Sequence, residues 1–178
     1  MTVYANRIAK HADAVKPRNK AKAAKLQTMA KDKAVIAMLK ANNVDPDRFE
    51  NRALYATEKC VKIVHAVTRE TVDISALNAN AFATIKSAIL AQKAGMTLTK
   101  RDIECSLSKD QVVPTERQAI VFRRDGILSP NTLAAQSQQC VDMLKTLGLV
   151  EEKAKNEFTI KDTPMMATFT EKFAELAA

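Results

Sequence analysis

The chain has 178 residues, of which 47% are apolar and 27% charged, and its formal net charge is +8. This balance is typical of a globular protein, and a total of only three glycines argues against β-sandwiches, β-barrels and glycine-rich nucleotide loops, which need residues with positive φ. No apolar run approaches the roughly 20 residues that cross a membrane, and the basic N-terminus lacks the apolar segment of a signal peptide.

Positive charge is concentrated at the N-terminus. Residues 1–40 contain ten Lys and Arg residues and two acidic residues, whereas residues 41–178 have no net charge. A cationic arm on a neutral body is common in proteins that bind polyanions, because phosphate neutralisation releases counterions. The alternative is a solvated, solubilising helix face. The candidate phosphate contacts of this arm are Lys20, Lys22, Lys25, Lys31 and Lys33.

The first predicted element is an amphipathic helix from Asn19 to about Ala41, after a stretch of 18 residues without a sustained period. Its first half has more lysine than apolar side chains, so we expect that half to be free in the unbound protein. Asn42 and Asn43 can end the helix, because asparagine tolerates the left-handed conformation. The apolar residues that recur at helical spacing are Leu26, Met29, Ile36 and Leu39.

Two longer helices follow. Asp45 and Pro46 predict a helix start, since aspartate caps and proline fits the first helical position. This helix extends over 46–67, and a second extends from Ser75 or Asn78 to Lys93. The apolar stripe of helix 46–67 is Phe49, Ala53, Ala56, Cys60, Val64 and Val67.

Shorter elements occupy the next 30 residues. A strand is predicted at 96–98, and Thr99 can cap a helix from Lys100 to Leu107. After a loop, Thr115 to Gln118 match a capping box and predict a helix over 115–124. This part of the chain also contains a second group of basic residues. If folding brings them near the arm, they form one positive face with it; otherwise they are scattered surface charges. The members of this group are Lys100, Arg101, Arg117, Arg123 and Arg124.

The most specific pattern lies in residues 129–161. Ser129 and Pro130 begin a helix that extends to Leu147, with Asn131, Gln136, Gln138 and Gln139 on its outer side. Gly148 ends this helix, and two short alternating runs around a polar tip predict a hairpin. A last helix is predicted from Pro164 to Ala178. The inner apolar stripe of the long helix is Leu133, Val141, Leu144 and Leu147.

This combination of helix, glycine and hairpin resembles the last helix and the wing of winged-helix DNA-binding domains, over about residues 81–161. The resemblance implies that the helix enters the major groove and that the hairpin tip contacts phosphate or the minor groove. Residues 82–93 are then the first helix, and Lys100–Leu107 the second. About 20 residues separate the second and third helices, so residues 108–128 are either an insertion or part of the helix-turn-helix.

The resemblance assigns candidate contacts to the helix and the wing. Asparagine and glutamine can read adenine edges bidentately, so Asn131, Gln136 and Gln139 are the candidate base contacts. Lys153 and Lys155 at the hairpin tip are candidate phosphate contacts. The helix lacks arginine, the residue that most often reads guanine.

Nothing in the sequence indicates an enzyme. His11 and His65 are far apart, and no spacing suits a metal site, so we expect no catalytic residue, metal or cofactor. Cys60, Cys105 and Cys140 are odd in number and widely separated, which favours core positions and a reducing, cytoplasmic location.

We therefore expect a mainly α fold, with a helical N-terminal part followed by a winged-helix-like domain that contains a small β-hairpin. The predicted regions are a basic arm and amphipathic helix (1–41), a helical support region (42–80), the winged-helix-like domain (81–161) and a C-terminal helix (162–178).

The leading functional hypothesis is a non-enzymatic DNA-binding protein, such as a small transcriptional regulator or a replication or packaging accessory. Duplex DNA is favoured over RNA because two tyrosines and no tryptophan leave few stacking platforms. We expect a homodimer or higher homo-oligomer that pairs through helix 46–67 or the C-terminal helix, with no membrane and no small-molecule substrate. The alternative is an all-helical protein, without nucleic-acid affinity, that assembles with itself or a protein partner.

Overall fold

A computed structural model describes residue 8 and residues 16–45, 54–72, 77–124 and 126–174. These residues form a mainly helical fold with a small three-stranded antiparallel sheet, which confirms the predicted fold class. The helices are α1 (Lys20–Ala30), α2 (Lys33–Ala41), α3 (Leu54–Val67), α4 (Ala79–Lys93), α5 (Lys100–Leu107), α6 (Pro130–Thr146) and α7 (Pro164–Ala174), and the strands are β1 (Leu98–Thr99), β2 (Val150–Ala154) and β3 (Glu157–Ile160).

The predicted helix from Asn19 to Ala41 is two helices, because Asp32 interrupts it. The Oδ1 atom of Asp32 accepts a hydrogen bond of 2.9 Å from the backbone N–H of Ala34, and this bond caps α2. The expectation that the first half is free is wrong. Helix α1 packs on α3 through its buried side chains Ala23, Leu26 and Ala30.

Helix α3 lies at the centre of the molecule. It contacts α1, α2, α4, α6 and α7, and ten of its 14 residues are buried. The predicted start at Pro46, together with Phe49 and Ala53, lies outside the described residues. The described part of the predicted stripe is buried at Ala56, Cys60, Val64 and Val67, as expected.

The elements from α4 to α5 follow the prediction closely. Asn78 caps α4 by accepting a hydrogen bond from the N–H of Ala81, and Gly95 adopts a φ of +64° after its end. Strand β1 begins two residues later and ends one residue later than expected. Thr99 and Asp102 form a capping box at the start of α5, in which each side chain accepts from the backbone N–H of the other.

The predicted helix over 115–124 is wrong beyond its first turn. Only Thr115–Arg117 forms a helical turn, of the 3-10 type. The following backbone bonds to neighbouring helices instead: Phe122 donates its N–H to Ser87 Oγ at 2.9 Å, and Arg124 donates its N–H to the carbonyl of Ser106 at 2.9 Å. Tertiary hydrogen bonds therefore override the local helix signal.

The helix and hairpin predicted for 129–161 are present. Helix α6 ends at Thr146, Gly148 adopts a φ of +67°, and β2 and β3 pair with Val150 opposite Ile160. Strand β1 pairs with β3, so the sheet order is β1-β3-β2. At the turn, Asn156 adopts a left-handed φ of +62°.

One hydrophobic core connects these elements. Leu26 and Leu39 of the N-terminal helices share it with Phe158 of the hairpin and with Phe169 and Phe173 of α7. The apolar stripes of α1, α2 and α7 are thus buried within one chain. No helix among the described residues has the length and apolar character needed to cross a membrane.

Buried Asn42 connects three distant segments. Its Nδ2 donates to the carbonyl of Leu147 at the end of α6, and its Oδ1 accepts from the N–H of Met165 in α7 at 3.3 Å. The next residue, Asn43, has the left-handed φ of +57° that was predicted to end the helix. The end of α2 is therefore attached to the C-terminal half of the chain.

Candidate nucleic-acid interface

The hairpin tip lies beside the start of α5. The backbone N–H of Lys100 donates to the carbonyl of Asn156 at 2.9 Å. Lys153 and Lys155 are exposed on either side of Ala154 at the tip. The fold therefore brings together three of the predicted phosphate contacts, Lys100, Lys153 and Lys155.

Acidic side chains lie close to this tip. Glu152 pairs with Lys145 of α6 at 2.5 Å and also accepts a hydrogen bond from the N–H of Asn156. The hydrogen bond from Lys145, followed by the one from Asn156, lowers the pKa of Glu152. The Lys145 ammonium also lies 5.3 Å from the centre of the Phe158 ring. This pair links the end of α6 to the hairpin.

Helix α6 has a buried side, a half-buried side and an exposed side. Leu133, Val141, Leu144 and Leu147 are buried as predicted. The exposed side is defined here as the outer face of α6. Its members are Asn131, Ala134, Ala135, Gln138 and Lys145.

The expectation that Gln136 and Gln139 face solvent for base contact is wrong. Both side chains are half-buried against α3, where their Oε1 atoms accept hydrogen bonds of 2.9 and 2.8 Å from the ammonium of Lys59. Lys59 is only 2% exposed. A buried ammonium requires acceptors, and the two glutamines supply them.

The hydrogen bonds continue from Gln136 toward the loop before α6. Asn80 of α4 donates its Nδ2 to Gln136 Oε1 at 2.8 Å, and its Oδ1 accepts from Arg124 Nη1 at 2.8 Å. Arg124, predicted to contact nucleic acid, thus forms part of an internal polar network with Lys59, Asn80 and the two glutamines.

Sequence reasoning missed Lys59, although a signal for its burial exists. The residue lies three positions after Ala56, one before Cys60 and four before Ile63, so it shares the apolar side of α3. Burial lowers the pKa of Lys59. Burial also raises the pKa of the neighbouring Cys140 thiol, which the Lys59 charge partly offsets.

The remaining members of the second basic group are scattered. Arg117 forms an ion pair with buried Asp102 and donates a hydrogen bond to the Thr97 carbonyl at 2.6 Å. The hydrogen bonds with Asp102 raise the pKa of Arg117. Arg101 bonds to the side chain of Gln111, and Arg123 donates to two carbonyls of the same loop. Arg101 and Arg123 remain exposed, whereas Arg117 stabilises the interior.

The predicted contacts of the basic arm are mostly exposed. Lys22 is the exception, since it pairs with Glu58 of α3 at 2.9 Å and lies 4.4 Å from the centre of the Tyr55 ring. Burial raises the pKa of Glu58, but hydrogen bonds from Lys62 and Lys22 outweigh this effect and lower it. The exposed members are Lys20, Lys25, Lys31 and Lys33.

Helices α1 and α6 contact adjacent sides of α3. Glu58 contacts Lys22 of α1, and the next residue, Lys59, contacts the glutamines of α6. Consecutive helix residues point about 100° apart. The arm and α6 therefore flank α3 roughly a quarter turn apart, rather than on opposite sides.

The described residues include one of the two histidines and all three cysteines. His65 accepts a hydrogen bond from Arg69 at 2.6 Å, and burial followed by the Arg69 charge lowers the pKa of its imidazole. His11 lies outside the described residues. The described residues contain no group of three or more His, Cys, Asp and Glu side chains suited to a metal ion, and the three cysteines are buried and form no disulfide.

The sequence matches no protein-family model, and comparisons with curated proteins and with solved structures find no similar protein.

Proposed function

We propose that the protein binds duplex DNA through the hairpin tip and the outer face of α6. The observation that carries this proposal is the exposure of Lys153 and Lys155, next to Lys100, on a hairpin that directly follows α6. Lysines at such a tip can contact phosphates, which supply most of the affinity in protein–DNA binding.

The order of the elements supports the same proposal. A helix (α4), a strand (β1), two helices (α5 and α6) and a hairpin (β2 and β3) follow one another, as expected from the resemblance to winged-helix domains. Asn131 and Gln138 are the polar side chains of the outer face that remain exposed at the beginning and middle of α6. They replace Gln136 and Gln139 as the candidate base contacts.

The arm adds cations close to this surface. Because α1 and α6 flank adjacent sides of α3, lysines of α1 can contact phosphates next to those contacted by the hairpin. Contact with about five phosphates gives a slope near −4.5 for the logarithm of the binding constant against the logarithm of salt concentration.

The test is fluorescence anisotropy with a duplex of about two helical turns, at roughly 50 to 200 mM salt. We expect Lys153→Glu combined with Lys155→Glu to weaken binding about tenfold or more, because two phosphate contacts become repulsive. The matched control is Lys40→Glu combined with Lys172→Glu, which changes the net charge equally on α2 and α7. Single-stranded DNA and RNA of the same sequence test the preference for duplex DNA.

Two outcomes contradict the proposal. One is a wild-type chain that binds no duplex at the lowest salt concentration. The other is an equal loss of affinity in the hairpin variant and the control, since the net charge alone then accounts for binding.

A further inference from the structure

The segment between α5 and α6 exposes the largest fractions of apolar side chains among the described residues. Val112 is 78% exposed and Ile127 is 62% exposed. Beside Val112 lies an open hollow of about 520 Å³, whose walls include Val113, Val121 and Gln118. Single exposed apolar residues are common on monomers. The exposure of Val112 alone therefore does not indicate a binding surface, and the structure of the loop around it has to be considered.

Hydrogen bonds hold the loop that presents Val112. Arg123 donates to the Gln111 carbonyl at 2.6 Å and to the Lys109 carbonyl at 3.3 Å. The Cys105 thiol donates to the carbonyl of Val112 itself at 3.5 Å. Because the loop is already ordered, little conformational entropy is lost when a partner covers Val112.

The surface of this loop is complementary to itself. It combines an exposed apolar side chain, Val112, with a mostly polar hollow whose lining includes two further valines, Val113 and Val121. It also combines an exposed carboxylate, Asp110, with the exposed cations Lys109 and Arg123. A twofold interface requires this property, because each patch meets a copy of itself.

We propose that two copies of the chain pair through this loop, with Val112 of each copy entering the hollow of the other between Val113 and Val121. Asp110 of one copy then faces Lys109 and Arg123 of the second. The apolar stripes of α3 and α7 are buried in the core. This proposal does not depend on nucleic-acid binding.

The size of the patch predicts weak pairing. Eight residues line the hollow, whereas standard protein interfaces use about 20 to 30 residues on each side. We therefore expect a concentration-dependent dimer with micromolar or weaker affinity.

Sedimentation velocity of the full chain without nucleic acid, over a wide concentration series, tests the proposal. We expect a monomer–dimer equilibrium whose dissociation constant rises about tenfold or more in Val112→Asp, because a carboxylate then replaces the apolar contact with Val113 and Val121 and lies beside Asp110. Thr159→Asp, at an exposed position of β3, is the control. A chain that stays monomeric throughout, or a dimer equally affected by both substitutions, overturns the proposal.

A second pair of variants tests the charges of the interface. Asp110→Lys and Lys109→Glu each place like charges opposite one another, so each variant alone should dimerise more weakly than the wild type. An equimolar mixture places opposite charges together, and we expect it to form mixed dimers more tightly than either variant pairs with itself. A mixture no better than its components overturns the predicted arrangement.

Discussion

Lys59 shows how one residue determines which side of a helix remains available. Its ammonium lies between two glutamine oxygens, and its hydrogen bonds hold the half-buried side of α6 against α3. Only the outer face of α6 is then left for a partner. Amide oxygens satisfy the ammonium geometrically but do not neutralise it, so its burial carries an electrostatic cost.

We predict that Lys59→Met raises the free energy of unfolding by about 1 kcal/mol, since it removes the cost of burying an ammonium, while the half-buried Gln136 and Gln139 can bond to water instead. Urea denaturation at neutral pH measures the change. Lys62→Met is the control on the same helix; it removes a partly exposed ion pair with Glu58 and should lower stability by less than about 1 kcal/mol. A Lys59→Met variant less stable than Lys62→Met would contradict this account.

We also predict that Lys59→Met changes how the free energy of unfolding depends on pH. The pKa of Lys59 is lower in the folded chain than its ordinary value of 10.5. Between these two pKa values Lys59 binds a proton more often in the unfolded chain than in the folded one, so its contribution to the unfolding free energy of the wild type rises with pH. Lys59→Met should lose part of this rise, whereas Lys86, whose pKa is also lowered by burial, retains its share. Urea titrations at pH 7 and at alkaline pH measure the difference.

Residue properties that depend on local geometry could be predicted, and those that depend on distant partners could not. The positive φ of Asn43 and Gly95 follows from their position after helices. The burial of Gln136 and Gln139 does not, because the ammonium that binds them is supplied by a residue 77 and 80 positions away.

At the scale of elements, Asp32 has two roles at the junction of α1 and α2. Its Oδ1 caps α2, and its Oδ2 pairs with Arg69, after the end of α3, at 2.9 Å. The sequence around it is rich in good helix formers, so the predicted helix continued through this position. One cap residue was enough to divide it.

We predict that Asp32→Ala lowers the free energy of unfolding by about 1 to 2 kcal/mol, because both the cap and the ion pair are removed. Asp32→Asn keeps a capping oxygen and removes only the charge, so it should retain more than half of this stability. Thermal and urea denaturation of both variants separate the two contributions. Equal destabilisation in both variants would mean that the ion pair, rather than the cap, stabilises the junction.

In the segment over 115–124, by contrast, the sequence predicts a helix that mostly does not form. The predicted capping box does not form, since Pro114 precedes the turn and no side chain caps it, but a helical turn does form at Thr115–Arg117. The chain then leaves the helix because Ser87 and Ser106 supply bonds to Phe122 and Arg124. Short helices are marginal on their own, so tertiary contacts decided the outcome here.

At the scale of the whole molecule, the basic arm is part of the body of the protein. Leu26, Val35 and Leu39 are buried in the common core. Deletion of residues 1–40 would therefore remove core side chains as well as charge, and would not isolate the electrostatic contribution of the arm.

Neutralising the exposed lysines of the arm gives a cleaner test. We predict that Lys20→Gln, Lys25→Gln and Lys31→Gln together weaken binding to all duplex sequences alike, and that the salt slope becomes shallower by about 0.9 for each phosphate that is no longer neutralised. Anisotropy titrations over a salt series measure the slope. Lys40→Gln on α2 is the single-site control, and an unchanged slope in the triple variant would exclude the arm from the interface.

The order of elements from α4 to α7 could be predicted from periodicity, caps and breakers. The attachment of the arm to α3 could not, because lysine-rich helices do not reveal which partner buries a narrow stripe such as Ala23, Leu26 and Ala30. The residues of the proposed interface could likewise be predicted only in part, because tertiary partners decide which side chains stay exposed. Its lysines at 153 and 155 were correctly expected on a hairpin and Gln138 on the outer side of α6, whereas Gln136 and Gln139 were expected on the wrong side.

The bonds of Asn42 have a consequence for protein synthesis. Its partners, Leu147 and Met165, are added more than 100 residues later. While the ribosome is still making the last helix, α1 can already pack on α3, but the end of α2 lacks its bonds to Leu147 and Met165 and its contacts with α7. The nascent chain therefore completes its fold only near termination, and premature stops before residue 165 should yield products that depend on chaperones.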